Sequence, residues 1–429
     1  MFKSRFTPLF NLVNFLYFFC SFQVFSVVLF LLNKSNKYKV DFDVYLNYVK
    51  YTTIILLAYL IIYLILNLKN FTDKIDFFTI FSTSLILTLY FTMIIHTDIQ
   101  AIFSPTIFLM LLVFFIFTKK EINYNNLLKL ISYITISNSV FVFLQIFNLI
   151  PIAQENVRES VFDIGNRPTG IFFNAFAMGY AMSICFIIFS WEILKKNYKS
   201  VYFLGLLLTF ISLLLSGTRT SLLLSLILIA LMSIFKFIRQ DKFSLKISYL
   251  ASFLVLMTPI FLIGIGKILN LESLRGLNGR TQLWSCVLNK WESFLPFGVG
   301  VQAAFPQGFC SDDEWFSKLR HPENMFLLTY VEAGILGILT LIAFFIAAFY
   351  ISSKSFKKGN YLPWAISNIY LLSCLFYVPL FHYVPFLPNR TADRGVFNFL
   401  LVTLIWLIIL RTSNYNNDKT SRPVNNYRK

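Results

Sequence analysis

Three stretches of the sequence place polar and charged residues beside long apolar segments. They are GNRPTGIFFN at 165–174, LSGTRTS at 215–221 and RHPENMFLLTYVEAGILG at 320–337. Arginine presents a planar fork of donors that matches a carboxylate or a phosphate, so it is preferred where an anion must be gripped. Arg167 and Arg219 therefore indicate anion binding. The alternative is two ordinary interfacial turns whose arginines extend towards water.

The residues around these arginines predict tight turns. Pro168 and Gly170 predict a turn where Arg167 enters the bilayer. Gly217 permits a sharp reversal that would bring Arg219 inward, because a charge between two apolar segments must face protein or a wet cavity. The backbone N–H groups of this second turn are further donors to an anion. So are three neighbouring hydroxyl groups, those of Ser216, Thr218 and Thr220.

The composition predicts an integral membrane protein. Of the 429 residues, 57% are hydrophobic and 13% are charged, and the mean hydropathy is +0.69, whereas soluble chains carry about 25% charged residues. A membrane-spanning helix needs roughly 20 apolar residues. We therefore predict an all-α bundle of about twelve transmembrane helices, with these spans: 9–32, 50–68, 75–95, 99–117, 127–150, 170–193, 201–216, 220–238, 245–266, 324–351, 362–387 and 394–411.

The chain has no internal repeat or linker that would divide it. We expect one transmembrane domain at 1–411 and a disordered cytoplasmic tail at 412–429. One long polar segment, 267–323, is predicted to form a periplasmic loop before the tenth span. Within it, apolar residues recur at helical spacing and predict an amphipathic helix on the membrane face, ended by a proline and glycines. These apolar residues are Leu283, Trp284, Val287, Leu288 and Trp291.

The basic residues set the predicted orientation. The net charge of +17 does not indicate nucleic-acid binding, because the charges are spread over the loops: 21 Lys and Arg lie on one side of the predicted membrane and 14 on the other. The richer side is cytoplasmic by the positive-inside rule, so both termini are cytoplasmic. Arginine makes up 5 of the 21 inner residues and 8 of the 14 outer ones. This bias predicts an outer face that holds an anion; chance combined with ordinary ion pairs is the alternative.

The sequence predicts neither a metal nor a cofactor. His96, His321 and His382 are scattered, and none has the spacing of a metal-ligand motif. There is no phosphate-binding GxxxxGK[ST] loop and no GxSxG nucleophile turn. Cys286 and Cys310 share the outer loop and could form a disulfide in an oxidising compartment.

The order of the motifs resembles a known family. RPTGIFFN, SGTRTS, GR followed by W and PFGVG, and HPEN followed by EAGILG are similar to the motifs of the O-antigen ligase and polymerase superfamily of bacterial envelope glycosyltransferases. The twelve spans and the large loop before the tenth also match this family. The resemblance covers about 165–340, whereas the first five spans match in hydropathy alone. It implies action on undecaprenyl-diphosphate-linked sugars at the periplasmic face.

The resemblance assigns roles to the arginines. Arg167, Arg219 and Arg280 match family arginines and look like a clamp for the diphosphate of the lipid donor. Preorganised arginines can stabilise the charge that a leaving diphosphate gains, without a metal. Arg320, beside the HPEN motif, is expected to bind substrate as well.

The resemblance also points to a general base, with one departure. The family motif often reads HPHN, with its second His as the proposed base, whereas this chain has Glu323 there and keeps His321, Pro322 and Asn324. Either Glu323 or His321 can accept a proton from a sugar hydroxyl. Asn324 is expected either to cap the tenth helix or to bind a sugar.

The apolar part of the third stretch has three unusual residues. Glu332 is expensive in lipid, so it should face the bundle and pair with an arginine or a backbone group. Gly334 and Gly337 are predicted to let a neighbouring helix approach closely.

Together with these observations, the resemblance implies an O-antigen polymerase in the bacterial inner membrane. It would join undecaprenyl-diphosphate-linked oligosaccharide repeat units, in contact with membrane lipids and with a chain-length regulator and a flippase as candidate partners. An O-antigen ligase or a protein O-oligosaccharyltransferase would use the same donor, and no acceptor motif distinguishes them. A flippase or transporter is the main rival class; it would place essential charges on both membrane faces. A structural membrane scaffold would leave the arginine bias unexplained.

Overall fold

The computed structural model describes residue 21 and residues 77–95, 124–150, 167–172, 175–238, 245–268, 280–300, 324–376, 405–406 and 408–410. Nine helices are assigned across these ranges, with no strand among them. In chain order they are α1 (Phe77–Ile95), α2 (Tyr124–Ile146), α3 (Ala175–Leu194), α4 (Ser200–Ser216), α5 (Arg219–Phe237), α6 (Leu245–Ile268), α7 (Arg280–Asn289), α8 (Met325–Lys357) and α9 (Leu362–Phe376). Two short 3₁₀ turns lie at Gly170–Phe172 and Trp291–Phe294.

The all-helical class is confirmed for the part of the chain that is described. Four of its helices, α2, α3, α5 and α8, are long and apolar enough to cross a membrane. The predicted spans 201–216 and 220–238 agree with α4 and α5 to within one residue at each end. Most of 9–32 and 394–411 lies outside the described residues, as do 50–68, 99–117, the end of 362–387 and the tail at 412–429. The count of twelve helices therefore stays a prediction.

Helix α3 lies at the centre of the described bundle. Its sequence, AFAMGYAMSICFIIFSWEIL, is apolar on every side and is buried along nearly its whole length, which is typical of a helix surrounded by other helices. It packs against α4, α5 and α9. Gly205 of α4 permits a close approach, because a Cβ there would lie 2.6 Å from the ring of Phe189.

The helices alternate in direction and give the bundle two chemically different ends. At the lysine end, defined by Lys195, Lys196, Lys199 and Lys236, helices α3 and α5 finish and α9 begins. Ring contacts join them there: Tyr361 lies 5.8 Å from Trp191 and 5.9 Å from Phe235. At the arginine end, defined by Arg167, Arg219 and Asn324, α9 finishes and α8 begins. There the Asn324 Nδ2 donates to the Leu375 carbonyl at 3.0 Å.

Candidate functional site at the arginine end

Two buried amide side chains of α2 hold the segment that follows Arg167. The Gln145 Oε1 accepts hydrogen bonds from the N–H groups of Thr169 and Gly170, both at 2.9 Å, and its Nε2 donates to the Thr169 Oγ1 at 3.1 Å. At the next residue of the segment, the Asn138 Oδ1 accepts from the Ile171 N–H at 3.3 Å. Backbone groups that would otherwise be buried without partners are thereby satisfied.

These two amides were not predicted from the sequence. Asn138 and Gln145 are seven residues apart, which is about two helical turns, so they share one face of α2. Both are buried. Their signal was present, because uncharged polar side chains inside a membrane span commonly form hydrogen bonds to neighbouring segments.

The turn predicted at Pro168 and Gly170 is present, and the backbone of Gly170 explains it. Its backbone has φ 54°, in the left-handed region that favours glycine. A Cβ at this position would lie 2.0 Å from the Asn138 Oδ1. The amide can reach the backbone of this segment because residue 170 has no side chain.

Arg167 packs directly on the second motif. It is only 8% exposed, and a Cβ on Gly217 would lie 2.8 Å from its Nε and 2.9 Å from its Cζ. The Cζ also lies 6.0 Å from the centroid of the Phe176 ring, within cation–π range. The RPTG and SGTRTS motifs therefore contact each other at this end of the bundle, although Arg167 and Gly217 are 50 residues apart in the sequence.

Gly217 makes the predicted reversal between α4 and α5, with φ 63°. The arginine that this turn buries is Arg167, however, and not Arg219. Arg219 is exposed at the first position of α5. A helix N-terminus carries partial positive charge and unpaired N–H groups, so a guanidinium beside it adds to an electropositive surface.

The neighbouring hydroxyl groups mostly serve the turn. The Ser216 Oγ donates to the Leu213 carbonyl at 2.7 Å and lies 2.6 Å from the Thr218 Oγ1. Since each hydroxyl has one proton, Thr218 then donates to Ser216, and both protons are used inside the turn. The Thr218 side chain also packs on α3, where a Cβ on Gly179 would lie 1.9 Å from its Oγ1. Of the three hydroxyl groups predicted as donors to an anion, only that of Thr220 belongs to an exposed residue.

The helix predicted within 267–323 is present as α7, followed by a 3₁₀ turn. The 3₁₀ turn makes its buried contacts with the first half of α8: Phe294 lies edge-on to Tyr330 at 5.8 Å, and the Tyr330 hydroxyl donates to the Trp291 carbonyl at 2.6 Å. Leu288 and the Trp291 side chain are about half exposed, at 56% and 48%. Arg280 is the first residue of α7, and the position of its side chain lies outside the description.

Helix α8 is broken where this loop meets it. Gly334 has φ 63° and ψ −155° inside the helix. The break frees the Val331 carbonyl to accept from the Val299 N–H at 2.8 Å, and the Glu332 carbonyl to accept from the Gly300 N–H at 3.1 Å. The Pro296 carbonyl in turn accepts from the N–H of residue 335, at 3.1 Å.

This geometry corrects the expectation for Gly334. The segment that approaches Gly334 is the PFGVG turn and not a neighbouring helix: a Cβ on Gly334 would lie 2.1 Å from the Pro296 carbonyl oxygen. At Gly337, the nearest atoms to an added Cβ belong to Ala333 and Thr329 of the same helix. The physical reason is that the kink turns backbone groups outwards to pair with the loop.

Asn324 caps α8, which was one of the two roles predicted for it. Its Oδ1 accepts from the N–H groups of Phe326 and Leu327, at 2.9 and 3.1 Å. An N-cap side chain satisfies donors that have no partner within the helix. Glu332 is buried, with 5% exposure, as predicted.

The remaining candidates can be placed only in part. Arg320, His321 and Glu323 lie outside the described residues, so their roles stay predictions. Cys286 on α7 is disulfide-bonded, and Cys310, the partner considered for it, is also outside them.

Comparison with known proteins agrees with the motif order. A protein-family model described as O-antigen ligase matches residues 204–342. This region runs from α4 to the middle of α8 and includes SGTRTS, PFGVG, HPEN and EAGILG. The match confirms the resemblance to the O-antigen ligase and polymerase superfamily. No curated protein matches the chain.

Proposed function

We propose that the protein is a glycosyltransferase that extends a surface polysaccharide from a polyprenyl-diphosphate-linked donor. The observation that carries the proposal is the contact between the RPTG and SGTRTS motifs, which packs Arg167 against Gly217 two residues before Arg219. The family match covers the second of these motifs and points to the same O-antigen chemistry.

Arg167 and Arg219 would contribute to diphosphate binding in different ways. Arg167 is held by its burial against Gly217 and near the Phe176 ring, so little reorganisation is needed when an anion arrives. Arg219 is exposed at the start of α5 and can meet a ligand directly. A leaving diphosphate gains charge as the glycosidic bond breaks, and fixed guanidinium groups stabilise that charge.

The outer loop would supply the rest of the donor site. Arg280 begins α7, and α7 is connected through the turn at 296–300 to the first half of α8. The N-cap of α8, Asn324, directly follows the predicted base Glu323 and lies three residues after the other predicted base, His321. The base would take the proton of the acceptor hydroxyl as its oxygen bonds to the sugar carbon. In this mechanism the charge on the leaving group is met by arginine, so turnover of the purified enzyme is expected to persist in EDTA.

We infer a periplasmic position for this end in the bacterial inner membrane, with both termini cytoplasmic. The excess of basic residues on the opposite side supports this orientation. The disulfide at Cys286 supports it too, because disulfides persist in oxidising compartments.

Among enzymes that use such a donor, we favour a polymerase that joins repeat units. Outside its motifs the chain matches the family poorly, which suits enzymes adapted to different repeat units. A ligase that transfers the chain to lipid A-core, or an oligosaccharyltransferase that transfers it to protein, remains the alternative.

The lipopolysaccharide of a deletion strain tests this choice. Loss of a polymerase is expected to leave lipopolysaccharide capped with single repeat units. Uncapped lipopolysaccharide with lipid-linked polymer retained would instead identify a ligase. A normal lipopolysaccharide with an altered glycoprotein pattern would identify the protein as an oligosaccharyltransferase.

A further inference from the structure

The lysine end contains a cluster of side chains that the proposed reaction does not use. Its lysines lie after α3, before α4 and in the last turn of α5: Lys195, Lys196, Lys199 and Lys236. Glu192 is the carboxylate that faces them among the residues described here. It accepts hydrogen bonds from the Lys195 Nζ at 2.8 Å, the Tyr124 hydroxyl at 2.9 Å and the Asn197 Nδ2 at 3.1 Å. Glu192 therefore neutralises one lysine and leaves the cluster positive.

Two of these ammonium groups lie close to the ring of Trp191. The Nζ atoms of Lys195 and Lys236 are each 5.5 Å from the centroid of its indole ring. Trp191 is only 3% exposed, and within the described part of the chain its Nε1 has no hydrogen-bond acceptor. A buried N–H group without an acceptor is unfavourable, so an acceptor atom from a ligand would stabilise the Trp191 Nε1–H.

Lys236 has two like charges and one opposite charge near it. It interacts electrostatically with Lys195 and Lys196, two like charges, as well as with Glu192. Its Nζ donates to the Leu194 carbonyl at the C-terminus of α3. A helix C-terminus attracts cations, but one carbonyl and a shared carboxylate do not balance three lysines.

Lys196 occupies a backbone position that favours glycine. Its N–H donates to the Ile193 carbonyl at 2.9 Å, and the next N–H, of Asn197, donates to the Glu192 carbonyl at 3.1 Å. This is the hydrogen-bond pattern that ends many helices, with a left-handed residue that is usually glycine. Lys196 has φ 64° there and is exposed. A lysine kept in a strained position is best explained if its charge is used.

The structure points to a second anion site. We propose that Lys196, Lys236 and the indole N–H of Trp191 bind the phosphate of an anionic phospholipid headgroup. Basic pockets between transmembrane helices on the cytoplasmic side bind such headgroups. The exposed rings of Tyr198 and Phe203 stack on each other at 6.4 Å beside the cluster, and aromatic residues of this kind lie at the membrane interface. They favour a lipid over free phosphate.

This site is separate from the proposed reaction and does not depend on it. Its test uses the purified full-length protein in a neutral detergent and measures the melting temperature and the lipids retained in native mass spectrometry. Phosphatidylglycerol, phosphatidylcholine and inorganic phosphate are compared as ligands. Phosphatidylglycerol alone is expected to raise the melting temperature and to remain bound.

The sharpest variant is Lys196→Gly, because glycine relieves the strained backbone while it removes the charge. Without added lipid its melting temperature should equal or exceed that of the wild type. Its affinity for phosphatidylglycerol should fall about fivefold, the usual effect of one basic residue at an anionic surface. Lys357→Gln, an exposed lysine at the end of α8, is the matched control and should bind like the wild type.

Three results would overturn the proposal. Equal binding of phosphatidylglycerol and phosphatidylcholine would remove the requirement for an anion. An equal response to inorganic phosphate would show a free-anion site. Unchanged affinity in Lys196→Gly, together with unchanged affinity in Lys236→Gln, would show that the lipid binds elsewhere.

Discussion

The two ends of the bundle hold cations in opposite ways. At the arginine end, Arg167 is 8% exposed and fixed against Gly217, and buried amides of α2 hold the chain that follows it. At the lysine end, the Lys195 side chain is 39% exposed and pairs with a carboxylate three residues away. A buried guanidinium is preorganised for one ligand geometry, whereas an exposed ammonium suits a mobile headgroup. The difference supports the two proposals, of chemistry at the first end and lipid binding at the second.

The largest effect is expected from the proposed base at the arginine end. Glu323→Gln keeps the shape of the side chain but removes the proton acceptor, so polymer formation should fall by about 10²- to 10⁴-fold. Glu323→His should retain more polymer formation than Glu323→Gln, because it recreates the HPHN motif. His321→Gln should cause a smaller loss.

Polymer formation in membranes with matched protein levels checks this ranking. The reverse order, with Glu323→Gln active and His321→Gln inactive, would transfer the catalytic role to His321.

The second largest effect is a loss of stability expected when the break in α8 is disturbed. Gly334→Ala would place a Cβ 2.1 Å from the Pro296 carbonyl oxygen at a φ that side chains avoid, so it should lower stability by about 2–4 kcal/mol. Gly359→Ala is the matched control, since Gly359 also has a positive φ but nothing lies within 4 Å of an added Cβ. It should cost about 1 kcal/mol.

Thermal unfolding of the two purified variants measures this difference. Equal melting temperatures would show that the contact between the PFGVG turn and α8 is not important for stability.

A smaller effect is expected from the amide network that holds the first motif. Gln145→Leu leaves the buried N–H groups of Thr169 and Gly170 without acceptors, so it should cost about 1–3 kcal/mol of stability. Because Arg167 lies just before these residues, activity should fall further than stability explains. A variant with wild-type turnover would show that the network does not position Arg167.

The sequence predicted those features that depend on local pattern. The bounds of α4 and α5 followed from hydropathy and from Gly217, whose φ of 63° ends α4 as a left-handed cap. The predicted membrane span 324–351 begins within one residue of α8 and ends where hydropathy falls. The helix continues to Lys357, and the Ser352 hydroxyl supports it with bonds to the Ala348 carbonyl and to Ser367 of α9.

Features that depend on distant partners were less accessible. The kink at Gly334 depends on a carbonyl at Pro296, and a glycine in an apolar segment does not reveal its φ. Likewise, the Arg219 side chain was predicted to lie on the buried side of the turn at Gly217, but Arg167 from another segment occupies that position. Gln145 and Asn138 could have been found, since their polarity is anomalous within α2.

The central claim is that arginines at this end hold a diphosphate. The most direct measurement is turnover of a polyprenyl-diphosphate-linked donor by purified Arg219→Lys, Arg219→Ala and the same pair at Arg280, with Lys354→Gln at the lysine end as control. The Lys variants should lose activity nearly as far as the Ala variants, because lysine lacks the bidentate fork, and the control should keep it. Full activity in both Lys variants at normal protein levels would contradict the clamp.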